Sequence, residues 1–317
     1  MRLRSLKKGR PLPAIVQIVF LGTSGSWPTP KRNAPAVAIK RGPEVILFDC
    51  GEGTQRQFMQ SKLSFMQVAK VFITHFHGDH FLGLPGLIQS MNMYDRDKPI
   101  NIYGPKGIKE LTHTLVTLGY FTPGFAISVT EFTDGTSIDF GEYSVSAIAA
   151  DHSVPALSYC LEEKMRPGRF DKPKALELGI PEGPIFGRLQ DGESVIIGGK
   201  AFTPNMVMGP PRKGRKIVYT GDTLAHQKLA DFARDCDVLI HDATADTSME
   251  EKANKYGHST AKQAAMLAKE CNAKVLFLTH FSPRYEDPAP MLAEAKAVFE
   301  NSMLAEDFGE YSVPYTD

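Results

Sequence analysis

Three imidazoles and a carboxylate stand within six residues, His75, His77, Asp79 and His80, in the stretch HFHGDH. Four groups that each prefer water or a partner are costly to crowd onto the dry end of a strand, unless a divalent cation compensates. A lone histidine is more often a satisfied core residue, but H-x-H-x-D-H after an apolar strand points to metal. Two later stretches offer what one or two cations would still lack. Asp151 and His152 follow a strand-like run at 144–150, and YTGDT (219–223) is a strand and turn that exposes Asp222. Either could be a surface turn by itself. Together with His280 they complete two sets of histidine nitrogen and aspartate oxygen, a donor chemistry that suits zinc better than calcium or magnesium.

The elements that must position these groups alternate between strand-like and helix-like runs, which favours an α/β architecture. Residues 15–21, 45–48, 71–74, 217–220, 238–240 and 275–279 are rich in β-branched and large apolar side chains. His80, Leu84, Leu87, Ile88 and Met91 recur about once per helical turn, and 260–270 and 290–300 are alanine-rich; all three read as helices. FITHF (72–76) and FLTHF (277–281) are nearly the same pentapeptide, each ending a strand in a histidine. Two similar halves would bring both histidines to one edge of the core, where α/β folds place their sites.

Residues 164–199 differ in composition. Gly168, Gly179, Pro181, Gly183, Pro184, Gly187 and Gly192 punctuate the segment, which reads as a protrusion with its own turns; a long disordered loop is the alternative. At 317 residues the chain can hold one large domain or two smaller ones.

Lysine plus arginine and aspartate plus glutamate number 36 each, so no global field would hold a polyanion or an anionic membrane. A nucleic-acid substrate would need local basic clusters. Candidates are Arg2, Arg4, Lys7, Lys8 and Arg10; Arg166, Arg169, Lys172 and Lys174; and Arg212, Lys213, Arg215 and Lys216, although charge runs are usually solvated faces. Cys50, Cys160, Cys236 and Cys271 lie far apart without a C-x-x-C pair, arguing against a disulfide framework and a thiolate zinc site. No apolar run reaches the roughly 18 residues of a membrane span. A soluble, cytoplasmic protein is expected.

HFHGDH (75–80), DHSVPALSY (151–159), YTGDT (219–223) and FLTHFS (277–282), in this order, resemble the successive metal motifs of the metallo-β-lactamase superfamily. FLGTSGSWPTPKRN (20–33), LFDCGEGTQRQ (47–57), HDAT (241–244) and HST (258–260) resemble its tRNase Z branch more sharply, over nearly the whole chain. The resemblance implies a single domain, 1–317, with the four-layer αβ/βα sandwich of that superfamily and a flexible arm at 164–199. It implies two zinc ions, with manganese or iron as substitutes. His75, His77 and His152 would hold one; Asp79, His80 and His280 the other; Asp222 would bridge them.

Such a pair shares a water whose pKa falls towards about 7, the nucleophile for a phosphodiester. Asp79 would orient and deprotonate it, with a helix N-cap as its alternative role. His258 is the candidate general acid for the leaving ribose oxygen. The family's HEAT motif supplies a carboxylate that orients this histidine; here it reads HDAT, so Asp242 is one methylene shorter.

The arm would grip the elbow of a precursor tRNA cut by the partner subunit of a homodimer, through Arg166, Arg169, Lys172 and Lys174. Lys31 and Arg32 lie in a loop linked in the family with where cleavage falls. Lysine follows a proline at the family's lysine position, Pro30. Cleavage just after the discriminator nucleotide is expected, leaving a 3′-hydroxyl on the tRNA and a 5′-phosphate on the trailer. Neither membrane nor DNA is an expected partner. The metal motifs equally permit a thioesterase, a lactonase or a small-molecule phosphodiesterase, and an RNA-binding module with a vestigial metal site is the non-enzymatic alternative.

Overall fold

Continuous apolar runs such as VLIHD at Val238–Asp242 and VLFLT at Val275–Thr279 become parallel strands, because parallel strands are covered on both faces and need no polar alternation. The computed structural model describes residues 15–315; the basic residues before Pro11 lie outside them. Two seven-stranded sheets form the frame. The first runs Glu310–Ser312, Val16–Gly22, Ala36–Arg41, Glu44–Phe48, Val68–Phe72, Ile100–Gly104 and Ile127–Glu131 across its width. The second runs Ser302–Leu304, Val275–Thr279, Val238–Asp242, Lys216–Tyr219, Leu157–Glu163, Tyr143–Ala149 and Ser137–Asp139.

Between the sheets lies an aromatic-rich core. Phe48 stacks on Phe72 with ring centroids 5.3 Å apart, and Phe72 meets Tyr159 of the opposite sheet edge-on at 5.3 Å. Helices Leu84–Met93 and Ile108–Val116 cover the outer face of the first sheet, burying Leu84, Leu87, Ile88, Met91 and Ile108. Ala261–Glu270 and Ala289–Lys296 cover the second. Buried Ala261, Ala264, Ala265 and Ala268 let the first of these approach its sheet closely. The result is the four-layer αβ/βα sandwich.

Several element bounds differ from expectation, each for a local reason. The strand expected at 71–74 is Val68–Phe72, because the Thr74 N–H is drawn 2.7 Å from the Asp49 carboxylate. The helical stripe from His80 to Met91 is two helices, Gly78–Phe81 and Leu84–Met93. They break at Gly83, where a Cβ would fall 2.0 Å from the Gly51 carbonyl. The helix expected at 290–300 ends at Lys296, since the Ala295 carbonyl accepts from both Val298 and Phe299. Thr260 caps the Ala261–Glu270 helix in a reciprocal box with Gln263.

The glycine-rich segment is a small folded unit. Helices Lys172–Glu177 and Pro184–Gln190 pack with the hairpin Val195–Ile197 and Lys200–Phe202 around Ala175, Ile180, Leu189, Val195, Phe202 and Val207. It closes through backbone pairing of Phe170 with Met208 and of Arg166 with Arg212. The expected boundary at 199 falls inside the hairpin turn; the unit extends to Arg212, because its return limb carries no strand pattern. The four cysteines are free and buried. Among the described residues, no helix is long and apolar enough to cross a membrane.

Candidate metal centre and active site

The two near-identical pentapeptides sit on opposite sheets. Each leaves a parallel strand at the same edge of the sandwich, and a bridge between Ser24 and Phe281 joins the two regions. His75 Nε2 lies 3.0 Å from His77 Nδ1, which lies 3.2 Å from His152 Nε2. Asp222 Oδ2 completes this group, 3.6 Å from His75 Nε2 and 4.0 Å from His152 Nε2. In the second group, Asp79 Oδ2 is 3.6 Å from His80 Nε2 and 3.5 Å from His280 Nε2. Asp222 reaches here also, with Oδ2 3.3 Å from His80 Nε2 and Oδ1 3.2 Å from His280 Nε2.

Metal–nitrogen bonds of about 2.0–2.1 Å in a tetrahedral site place ligand atoms roughly 3.3 Å apart, close to these separations. The outward nitrogens are fixed from behind. His80 Nδ1 donates to Asp49 Oδ2 at 2.7 Å, His152 Nδ1 to the Gly257 carbonyl at 2.8 Å, and His280 Nδ1 lies 2.9 Å from Thr244 Oγ1. Buried His80 Nε2, His280 Nε2 and Asp222 Oδ1 have no hydrogen-bond partner among the described residues, and a cation would supply one. Nitrogen and carboxylate donors so arranged fit zinc-type ions.

The electrostatics agree. Burial and the neighbouring His80 hold His75 well below its ordinary pKa, as a neutral ligand. Burial opposes charge on His80, yet Asp222 and Asp49 on either side hold its pKa well above the ordinary value. A cation binding there displaces that proton. Burial likewise opposes ionisation of Asp222, but His280 and His80 outweigh it and keep the carboxylate charged. Asp79 is held down by His280 and His80 against its own burial.

Asp79 is not a helix N-cap. That position belongs to His77, and Asp79 Oδ2 instead accepts the Ser26 N–H at 2.7 Å. His258 Nδ1 lies 3.0 Å from Asp242 Oδ2, and its ring stacks on His280 with centroids 5.3 Å apart. Burial would lower the His258 pKa, but Asp242, with Asp222 behind it, pushes it up to about 9. Its ring is therefore held protonated at neutral pH. His77, Asp79, Asp222, His258 and His280 line one cavity of about 670 Å³, with Trp27, Lys252, Tyr256 and Arg284 on its walls.

The basic residues lie elsewhere. Arg32 Nη1 donates to Thr23 Oγ1 at 2.7 Å and the Ala305 carbonyl at 2.8 Å, an engagement within the fold, while Lys31 is exposed. Arg166 stands at the arm's stem, its guanidinium 3.6 Å from the Tyr315 ring centroid. Lys172 pairs with Glu182 at 2.6 Å, and Arg169 and Lys174 border a groove on the arm. Asp49 escaped sequence reasoning. It holds His80, Thr74 and the Tyr219 hydroxyl at once, at a left-handed φ of 56°. It lies in the LFDCGEGTQRQ stretch (47–57) that carried the family resemblance, where nothing in the sequence gives it a role. Gly257, with φ of 75° and room for no Cβ beside His152, was equally silent.

A four-layer sandwich carrying two histidine–aspartate donor groups at one edge defines the metallo-β-lactamase fold class. Residues 205–281 match the family model of the β-lactamase superfamily domain, and 16–161 match that of anti-Pycsar protein Apyc1. The metallo-β-lactamase fold protein YhfI of Bacillus subtilis has the same fold: TM-score 0.69 at 17% identity, covering 94% of this chain and 99% of that one. Closer relatives narrow the class. Ribonuclease Z of Methanosarcina acetivorans is 48% identical over 95% of this chain and 99% of its own length, and that of Thermoplasma volcanium 49% over 94% and 97%. The human tRNase Z short form superposes with TM-score 0.70 at 31% identity, covering 94% of this chain and 99% of that one. The chain belongs to the ribonuclease Z family, the metal-dependent endoribonucleases of this fold.

Proposed function

We propose that this enzyme removes the 3′ trailer from precursor tRNA, cutting just after the discriminator nucleotide. The observation that carries the reading is Asp222 standing between two donor groups with His258 and Asp242 beside them, in a chain of this family. His75, His77 and His152 would hold one zinc ion and Asp79, His80 and His280 the other, with Asp222 shared; manganese or iron are chemically acceptable substitutes. When bound, such ions acidify water and neutralise charge on a phosphodiester.

The chain's own residues do the rest. Asp79, ionised and fixed by the Ser26 N–H, takes the proton of the attacking water. His258 gives a proton to the departing 3′ oxygen, and Asp242 keeps its ring turned and charged. The tRNA leaves with a 3′-hydroxyl and the trailer with a 5′-phosphate.

The arm, here 166–212, would grip the tRNA elbow through Arg166, Arg169, Lys172 and Lys174, by charge and shape. A homodimer in which each arm serves the other subunit, working in the cytoplasm, completes the reading. Incubation with a 3′-extended pre-tRNA, the product end mapped to one nucleotide, tests it. A 3′-hydroxyl at the discriminator is expected; an intact substrate in the presence of zinc or manganese would overturn it.

A further inference from the structure

Trp27 is the chain's single tryptophan, and it stands 61% exposed. An indole left so uncovered is unusual, since tryptophan is on average well buried. Its backbone is held rigidly beside the catalytic centre. The preceding Ser26 donates its N–H to Asp79 Oδ2 at 2.7 Å, Trp27 N–H turns back to the Gly25 carbonyl at 2.8 Å, and Ser24 Oγ donates to the Trp27 carbonyl at 2.8 Å. Trp27 lines the catalytic cavity of about 670 Å³ and also a neighbouring hollow of about 390 Å³, which it forms with Pro28, Lys31 and Tyr285. The residue is a partition between the two.

A fixed aromatic surface beside a phosphodiester site, with a lysine beyond it, suits one extended nucleotide: base against indole, next phosphate towards Lys31. The side of the cut follows from the anchors of the two groups. Trp27 adjoins Ser26, whose N–H is accepted by Asp79 Oδ2 at 2.7 Å, whereas His258 is held by Asp242 Oδ2 at 3.0 Å. His258 serves the oxygen that leaves with the tRNA body, so the Trp27 flank receives the other product. We propose that Trp27 is a stacking platform for the first nucleobase of the trailer, an assignment that rests on the pre-tRNA reading above. Trailers differ in sequence, and stacking tolerates this because every base has a π-face.

The sole indole reports on itself. When the zinc-loaded enzyme is mixed rapidly with 3′-extended pre-tRNA, tryptophan emission should fall before product forms. The fall should vanish with a substrate abasic at the first trailer position, and persist with one abasic at the discriminator. Trp27→Ala should raise KM about tenfold or more with kcat changed about twofold or less, and Trp27→Phe should recover most of the loss. Unchanged emission in a cleaving enzyme, a fall that survives the trailer abasic site, or a KM indifferent to Trp27→Ala would overturn the platform alone. Should Trp27→Ala fail to fold, emission and Trp27→Phe still decide. A wild-type enzyme that leaves pre-tRNA intact would overturn the parent reading and the platform with it.

Discussion

His258 Nδ1 and Asp242 Oδ2 are 3.0 Å apart, so the aspartate of HDAT makes the contact for which the resemblance implied a longer carboxylate. Asp242 is fully buried at the end of its strand and also bonds Thr244, which narrows its freedom to a single pose. On the proposed mechanism, removing His258 removes the proton donor. His258→Ala and Asp242→Asn should each lower cleavage of pre-tRNA by about 10²–10⁴-fold. A diester with an activated leaving group needs no donor and should be largely spared. Uniform loss on both substrates would mean that the pair is structural.

Asp79 belongs to the donor group with His80 and His280, whereas the proposed grip on tRNA lies on the arm. Asp79→Ala should therefore keep tRNA affinity within about threefold and cut turnover by about 10²-fold or more. Gel-shift titration beside single-turnover kinetics checks this, and retained turnover would refute the assigned base.

The arm has its own core and closes where Phe170 pairs with Met208. Replacing 170–208 with a short linker should abolish pre-tRNA processing and spare hydrolysis of bis-p-nitrophenyl phosphate. A cut at Gly192 would instead strand the apolar hairpin at 195–202. Equal loss of both activities would count against a gripping role for the arm.

Chelation should stop cleavage, and zinc or manganese should restore it. Because buried His80 Nε2, His280 Nε2 and Asp222 Oδ1 have no hydrogen-bond partner among the described residues, the stripped protein should also melt several degrees lower. Metal analysis and calorimetry before and after dialysis measure this; an RNA-binding module would show no zinc and no change.

Glu163 is buried between Arg215, at 2.7 Å, and Arg41, at 3.1 Å. Burial opposes its ionisation, but hydrogen bonds and charge from Arg215 outweigh it, so its folded pKa lies below the unfolded value. The stabilisation is thus fully present above the ordinary carboxylate range and fades as pH falls through it. Glu163→Gln leaves two guanidinium groups facing an amide and should cost about 3 kcal/mol near neutrality, with the deficit shrinking in acid. Urea titration across pH measures it; a constant deficit would exclude the charge.

The α/β alternation and most strands were legible because buried parallel strands are continuous apolar words, as at 238–240 and 275–279. Histidines 75, 77 and 80 were legible because crowding itself is a signal. Asp49 was not, since one carboxylate after a strand looks the same whether it faces water or orients a histidine. The anchoring of Arg32 was hidden for a related reason: only the fold brings Thr23 and Ala305 to its guanidinium. The arm's far limit was hidden because Met208 and Arg212 pair with partners some forty residues earlier, outside any local pattern.

The donor groups are contributed by both halves of the sandwich. The 75–80 loop leaves the first sheet, while His152, Asp222 and His280 follow strands of the second. A cation held between them works as a clasp, and it can fasten only after the two halves have docked. Until the two halves meet, neither donor group is complete, so on the proposed mechanism hydrolytic power depends on docking of the sandwich.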